Sequence, residues 1–146
     1  MQKKRVPVRS AIMSHFKEIS VRSRARTELI KLDDVVRNFI ASSGVKDGVC
    51  YIHVPHTTAG VIINEGADPG LLQDIAGRLA ELVPQDDDYR HIEDNADSHI
   101  KAALVGCSTT VFISDGAPLL GRWQSIFFCE FDGPRERQVW LRVSEG

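Results

Sequence analysis

Four of the five histidines in this chain fall between residues 53 and 99, and that stretch holds most of its candidate chemistry. The run His53-Val54-Pro55-His56-Thr57-Thr58-Ala59 is followed by Asn64-Glu65, Asp74, His91 and His99. Imidazole is a common metal ligand and titrates near neutrality, so the concentration points to a polar site. His53 and His56 are three apart, and odd spacing in a strand sends side chains to opposite faces. One of the two is therefore expected in the site. His56 is favoured because it adjoins Thr57 and Thr58, with His53 a packed or surface residue. His15 has no polar company and is background.

His56, His91 and His99 lie on three separate elements. Three such imidazoles could hold zinc or another divalent ion with a fourth position open. The spacing is not diagnostic, because the chain has no His-Glu-x-x-His and no Cys-x-x-Cys. Asn64, Glu65 and Asp74 form the other half of the candidate site. A carboxylate beside an imidazole can move protons or orient the ring. The alternative is that Glu65 caps a turn and Asp74 is solvated on the outer face of a helix. Trp123, in Gly121-Arg122-Trp123-Gln124, could flank a ligand pocket or anchor the core. Arg135 and Arg137 flank a turn and could hold a phosphate, or be surface charge. The chain has no glycine-rich phosphate loop and no nucleophile elbow.

The elements that must position these groups can be read from periodicity. Residues 12–22 alternate as a half-buried strand. Asp33-Asp34 opens a helix that carries Val35, Val36, Phe39 and Ile40 and stops at Gly44. Residues 49–54 and 58–63 are Val- and Ile-rich strands interrupted near Pro55. Asp68-Pro69 starts a second helix with a stripe of Leu71, Leu72, Ile75, Leu79 and Leu82, ended by Pro84. Gln85 to Tyr89 is an acidic loop. A third helix is expected from about Asp97 to Val105, with Ile100, Ala103 and Leu104 facing inward. Strands follow at Ser108–Ile113, Trp123–Phe131 and Val139–Val143, with turns at Asp115-Gly116 and Gly133-Pro134. Strands at both ends with helices between them make an α+β chain.

Composition narrows the classes. A chain of 146 residues, 42% apolar and 26% charged, predicts one globular domain. A net charge of −2 gives no nucleic-acid footprint. No apolar run is long enough to span a membrane. Residues 1–10 are expected to be a flexible tail, and no apolar segment behind them suggests a signal peptide. Cys50, Cys107 and Cys129 are far apart and odd in number, and are expected as buried free thiols in a reducing compartment, the cytoplasm.

Three long stretches carry a resemblance: His53 to Pro69 (HVPHTTAGVIINEGADP), Asn95 to Gly106 (NADSHIKAALVG) and Gly121 to Arg135 (GRWQSIFFCEFDGPR). In this order and spacing they resemble the YjbQ family, whose members are described as secondary thiamine-phosphate synthase enzymes. The likeness runs from about residue 12 to 143. It implies an α+β fold of two β-sheets packed together with flanking helices, and a homotrimer. It also implies site roles for His56, Asn64, Glu65, Asp74, His91, His99, Gly121, Trp123 and Gln124. Arg122 stands where the family usually has a small residue.

Two functional expectations follow. The first is a metal- or histidine-centred enzyme acting on a small phosphorylated metabolite, with thiamine-phosphate synthase as a secondary activity. In it His56, His91 and His99 hold the ion, Glu65 or Asp74 manages protons or orients a ligand with Asn64 as a further catalytic-site residue, and Thr57, Thr58, Trp123 and Gln124 contact the ligand. The second is a non-catalytic metal- or ligand-binding protein whose synthase activity is incidental.

Overall fold

The computed structural model describes residues 14–146, so the expectation for residues 1–10 lies outside the described residues. In chain order the elements are β1 (Ser14–Arg22), β2 (Glu28–Lys31), α1 (Asp33–Ser43), β3 (Gly48–His53), β4 (Ala59–Glu65), α2 (Pro69–Leu82), α3 (Ala96–Val105), β5 (Ser108–Ser114), β6 (Ala117–Leu119), β7 (Gln124–Glu130) and β8 (Glu136–Glu145). The α+β expectation of two sheets with flanking helices holds. One sheet has strand order β1-β8-β3-β5-β6, and the other has β2-β7-β4. All described pairings are antiparallel.

The main core lies between the sheets. In β8, Val139, Leu141 and Val143 point inward with Ile19, Cys50, Ile52 and Val111, as the alternation of that strand predicts. Val61, Ile126 and Phe128 meet them from the smaller sheet, and Val36, Phe39 and Ile40 of α1 close one end. The opposite face of the smaller sheet carries Cys129 and Ile62 under α3 and α2. β7 is therefore covered on both faces, and Ser125 to Glu130 are all buried. Such a strand reads as continuous apolar sequence, without alternation.

Local signals behave largely as their chemistry requires. Gly44 ends α1 in the left-handed conformation at φ 74°. Asp68 caps α2 by accepting from the Gly70 N–H. Asp115 and Gly116, both at positive φ, turn β5 into β6. The strands β2 and β6 are too short to show a pattern. Asp33 departs from the simple capping role: its carboxylate accepts from the Ile126 N–H at 2.7 Å and ties α1 to β7.

Two expectations about burial need correction. In α3 the inward residues are Ala96, Asp97, Ser98, Lys101 and Ala102, while Ile100, Ala103 and Leu104 are exposed. The reason is ionic. Asp97 accepts from both Arg26 and Lys101, at 3.0 and 2.8 Å, and the carboxylate is wholly buried. A buried triad needs the inner face, so the apolar residues turn outward. Cys107 is also exposed, whereas Cys50 and Cys129 are buried free thiols.

Candidate functional site

Strand β4 decides which candidate residues meet. Thr57 and Thr58 lead into its first residue, Ala59, which pairs with Glu130. Its last residues, Asn64 and Glu65, pair with Ser125 and Gln124. Six strand steps separate Ala59 from Glu65, roughly 20 Å. Within one chain the predicted residues therefore form two groups at opposite ends of β4.

The first group lines a cleft. His56, Thr57 and His99 are shared by two adjoining cavities of about 380 and 320 Å3. The larger continues along Ala59, Ala102, Ala103, Gly106 and Cys107 and is mainly apolar. The smaller runs along Glu93, Asn95, Asp132, Arg135 and Arg137 and is mainly polar. Close backbone approach builds the floor. The Val61 N–H donates to the Gly106 carbonyl at 3.1 Å, and the Val54 N–H donates to that of Cys107 at 2.7 Å. A β-carbon at Gly60 would lie 2.5 Å from the Gly106 carbonyl oxygen, so only glycine lets the end of α3 sit this close.

His56 is fixed in one tautomer. The Gln138 backbone N–H donates to its Nε2 at 2.9 Å. A backbone N–H only donates, so Nε2 carries the lone pair and Nδ1 carries the proton. Burial lowers the His56 pKa, and the Arg137 charge lowers it further. His56 is thus a neutral Nδ1–H donor.

Behind it lies a buried ion pair. Arg137 donates to Glu130 through Nε and Nη2, and to Thr58 Oγ1 at 2.8 Å. Burial alone would raise the Glu130 pKa, but hydrogen bonds from Arg137 and Ser23 outweigh it and hold the carboxyl below its ordinary value. Thr58, expected as a ligand contact, is occupied in holding Arg137. Arg135 curls onto Asp132, donating from Nη2 at 2.9 Å.

His99 projects from α3, and its ring meets that of His91 edge to face at 4.8 Å. His91 Nε2 lies 3.7 Å from Glu93. His56 does not complete this pair as a ligand, because its Nε2 is bonded to Gln138 and its Nδ1 carries the proton. Among the described residues no three His, Cys, Asp or Glu side chains are grouped to hold a metal ion. The donors of one chain therefore do not fit zinc.

The second group stands apart. The Glu65 N–H donates to Asn64 Oδ1 at 2.7 Å, a local contact. Gln124 Oε1 accepts from the Gly121 N–H, and Trp123 is 59% exposed under the Arg122 guanidinium. Asp74 is exposed beside Gln73, Arg78 and Glu81 on α2 and reaches no imidazole. His53, on the outer face of the larger sheet, stacks on Trp140. Spacing alone did not single out Asn95, Glu130, Asp132 or Cys107 for the cleft; their only signal was that three of them fall inside the family-like stretches.

Comparison with known proteins sets these features in a family. The model of the UPF0047 protein YjbQ-like family matches residues 17–146. A UPF0047 protein of Methanocaldococcus jannaschii is 49% identical over 123 residues, covering 84% of this chain and 89% of that protein. YugU of Bacillus subtilis is 39% identical, covering 88% and 98%. A YbjQ-like protein of unknown function from Sulfolobus solfataricus superposes with TM-score 0.89 at 33% identity, over 92% of this chain and 99% of that one. A YjbQ/UPF0047 protein from Clostridium acetobutylicum gives 0.86 at 42%, over 87% and 98%.

These relatives correct the functional expectation. They are named as UPF0047 or YjbQ-like proteins, and the structures as uncharacterized or of unknown function; no name carries an enzymatic activity. The metal- or histidine-centred enzyme acting on a phosphorylated metabolite is therefore withdrawn, as is thiamine-phosphate synthase activity, secondary or incidental. The family itself is shown by sequence and fold alike: the chain belongs to the UPF0047, YjbQ-like family.

Proposed function

We propose that this chain binds a small polar molecule in the cleft between the His56 turn and α3. The observation that carries the reading is the Nδ1–H of His56, a donor with a fixed tautomer and no partner among the described residues. His56 lines a cleft with one polar and one apolar half. Specific small-molecule sites combine an apolar wall with a few convergent polar groups.

A second copy of the chain completes this reading. The apolar stripe of α2 contains no buried residue. Asn64, Glu65, Trp123 and Gln124 form a polar and aromatic end roughly 20 Å from the cleft. In the homotrimer that the family resemblance implies, this end of one subunit closes the cleft of the next. Titration of purified protein with a metabolite mixture, followed through the histidine ring protons, tests the cleft. Binding is expected to shift His56 and His99 and to be lost in His56→Ala. Ligand-induced shifts confined to His15 and His53 would refute it. Light scattering tests the assembly, and a monomer at micromolar concentration would refute that part.

The His91–His99 pair favours a second reading, a divalent ion such as zinc whose further donors come from the neighbouring subunit. Metal analysis of protein purified without an affinity tag decides it, with stoichiometric metal lost in His99→Ala as the supporting result.

A further inference from the structure

The charges around the cleft identify the kind of molecule it takes, on the reading that the cleft binds a small ligand. Two guanidiniums, Arg135 and Arg137, face three carboxylates, Glu93, Glu130 and Asp132. The Arg137 charge is offset by Glu130, with Nε and Nη2 bonded to Glu130 and Thr58, and the Arg135 charge by Asp132. Glu93 has the His91 ring 3.7 Å away and no Lys or Arg ion pair among the described residues. A multiply charged anion such as phosphate meets no uncompensated cation here.

The unmet need is for a donor. Asn95 is 8% exposed, and its Nδ2 donates to Asp132 Oδ2 at 2.8 Å. Flipping the amide would set its oxygen against the carboxylate, so the orientation is fixed. Its Oδ1 is then a buried acceptor with no partner among the described residues. Native proteins rarely leave such an atom unpaired. Asn95 lines the polar half of the cleft together with Glu93 and Asp132. An amide and two carboxylates lining this half of the cleft suit an ammonium group. His56 lines the same cleft, and its Nδ1–H suits one carboxylate oxygen. The other half of the cleft, lined by Ala59, Ala102, Ala103 and Gly106, suits a short apolar chain.

We infer that the ligand is a zwitterion of the α-amino-acid class with a small apolar side chain, its ammonium held by Asn95, Glu93 and Asp132.

Four probes test this: valine, isovalerate (which lacks the ammonium), isobutylamine (which lacks the carboxylate) and inorganic phosphate. Affinities are read by calorimetry, and location by the His56 and His99 ring protons. Valine is expected to bind at least about tenfold tighter than isovalerate or phosphate, with isobutylamine between. Asn95→Ala and Glu93→Gln are each expected to weaken valine several-fold. Glu93 is exposed, so its variant folds and keeps the test sharp if Asn95→Ala does not. Isovalerate or phosphate binding at His56 and His99 as tightly as valine would overturn the zwitterion and leave the cleft standing. Failure of all four probes to move either ring would overturn both. Valine affinity unchanged in both variants would overturn the placement of the ammonium, and the inference with it.

Discussion

The backbone N–H of Gln138 holds the Nε2 of His56 at 2.9 Å across 82 positions of sequence. This contact joins the turn after β3 to the start of β8 and sets the proton of the cleft imidazole. It has a measurable pH signature. Burial and the Arg137 charge lower the folded pKa of His56 below its ordinary 6.5. An unfolded imidazole takes up its proton first as pH falls. The stabilisation is therefore complete above about 6.5 and is lost as pH falls through the lower folded value. Proton NMR should show His56 titrating below 6.5, and a midpoint at or above 6.5 would refute its burial beside the Arg137 charge.

Asp97 gives a second pH dependence at the acid end. Burial opposes its ionisation, but hydrogen bonds from Arg26 and Lys101 prevail and hold the pKa at about 2. The resulting stability is present above the unfolded value of 3.8 and is lost as pH falls toward 2. It amounts to about 2 kcal/mol. Asp97→Asn at neutral pH should cost more, about 3–5 kcal/mol, because Lys101 keeps its charge in a buried site. Urea unfolding measures both, and a loss under 1 kcal/mol would contradict the triad.

The thiols should separate by accessibility. Burial pushes Cys50 and Cys129 up to about 12, so neither supplies thiolate at neutral pH. Cys107 is exposed and lines the apolar half of the cleft. A chromogenic disulfide should titrate one thiol in the native protein and three in denaturant. A cleft ligand should slow the native reaction.

Much of this was legible in the sequence, for particular reasons. Val139, Leu141 and Val143 alternate because β8 has one buried face, and Pro69 and Gly44 sit where helix ends require them. The face of α3 was not legible. Its apolar residues obey helical spacing, but Asp97 pairs with Arg26, far away in sequence, as well as with Lys101, and no local pattern reports such a pairing. The separation of Glu65 from His56 was hidden in the same way. Both border one strand, and sequence proximity conceals the length of that strand.

Gly60 offers a direct test of the cleft floor. In Gly60→Ala the new β-carbon would lie 2.5 Å from both the Gly106 carbonyl oxygen and Val105 Cγ2. Backbone must move, at a cost of about 1–3 kcal/mol. Melting should fall, and the Cys107 thiol should react faster. Asp74→Asn is the contrasting surface change, expected to stay within about 0.5 kcal/mol of the parent.

The double burial of β7 gives the cleft unequal mechanical partners. Glu130, Phe131 and Asp132 continue a strand packed on both sides, so the wall built on them should resist deformation. The loop of residues 91–94, which brings Glu93 to the same cleft, is exposed throughout, with Ile92 at 95%. Amide exchange should be slowest at Ile126 to Cys129 and fastest around Ile92. A ligand bound as proposed would then be enclosed from one side, by the exposed loop that bears His91 moving toward a fixed strand and ion pair.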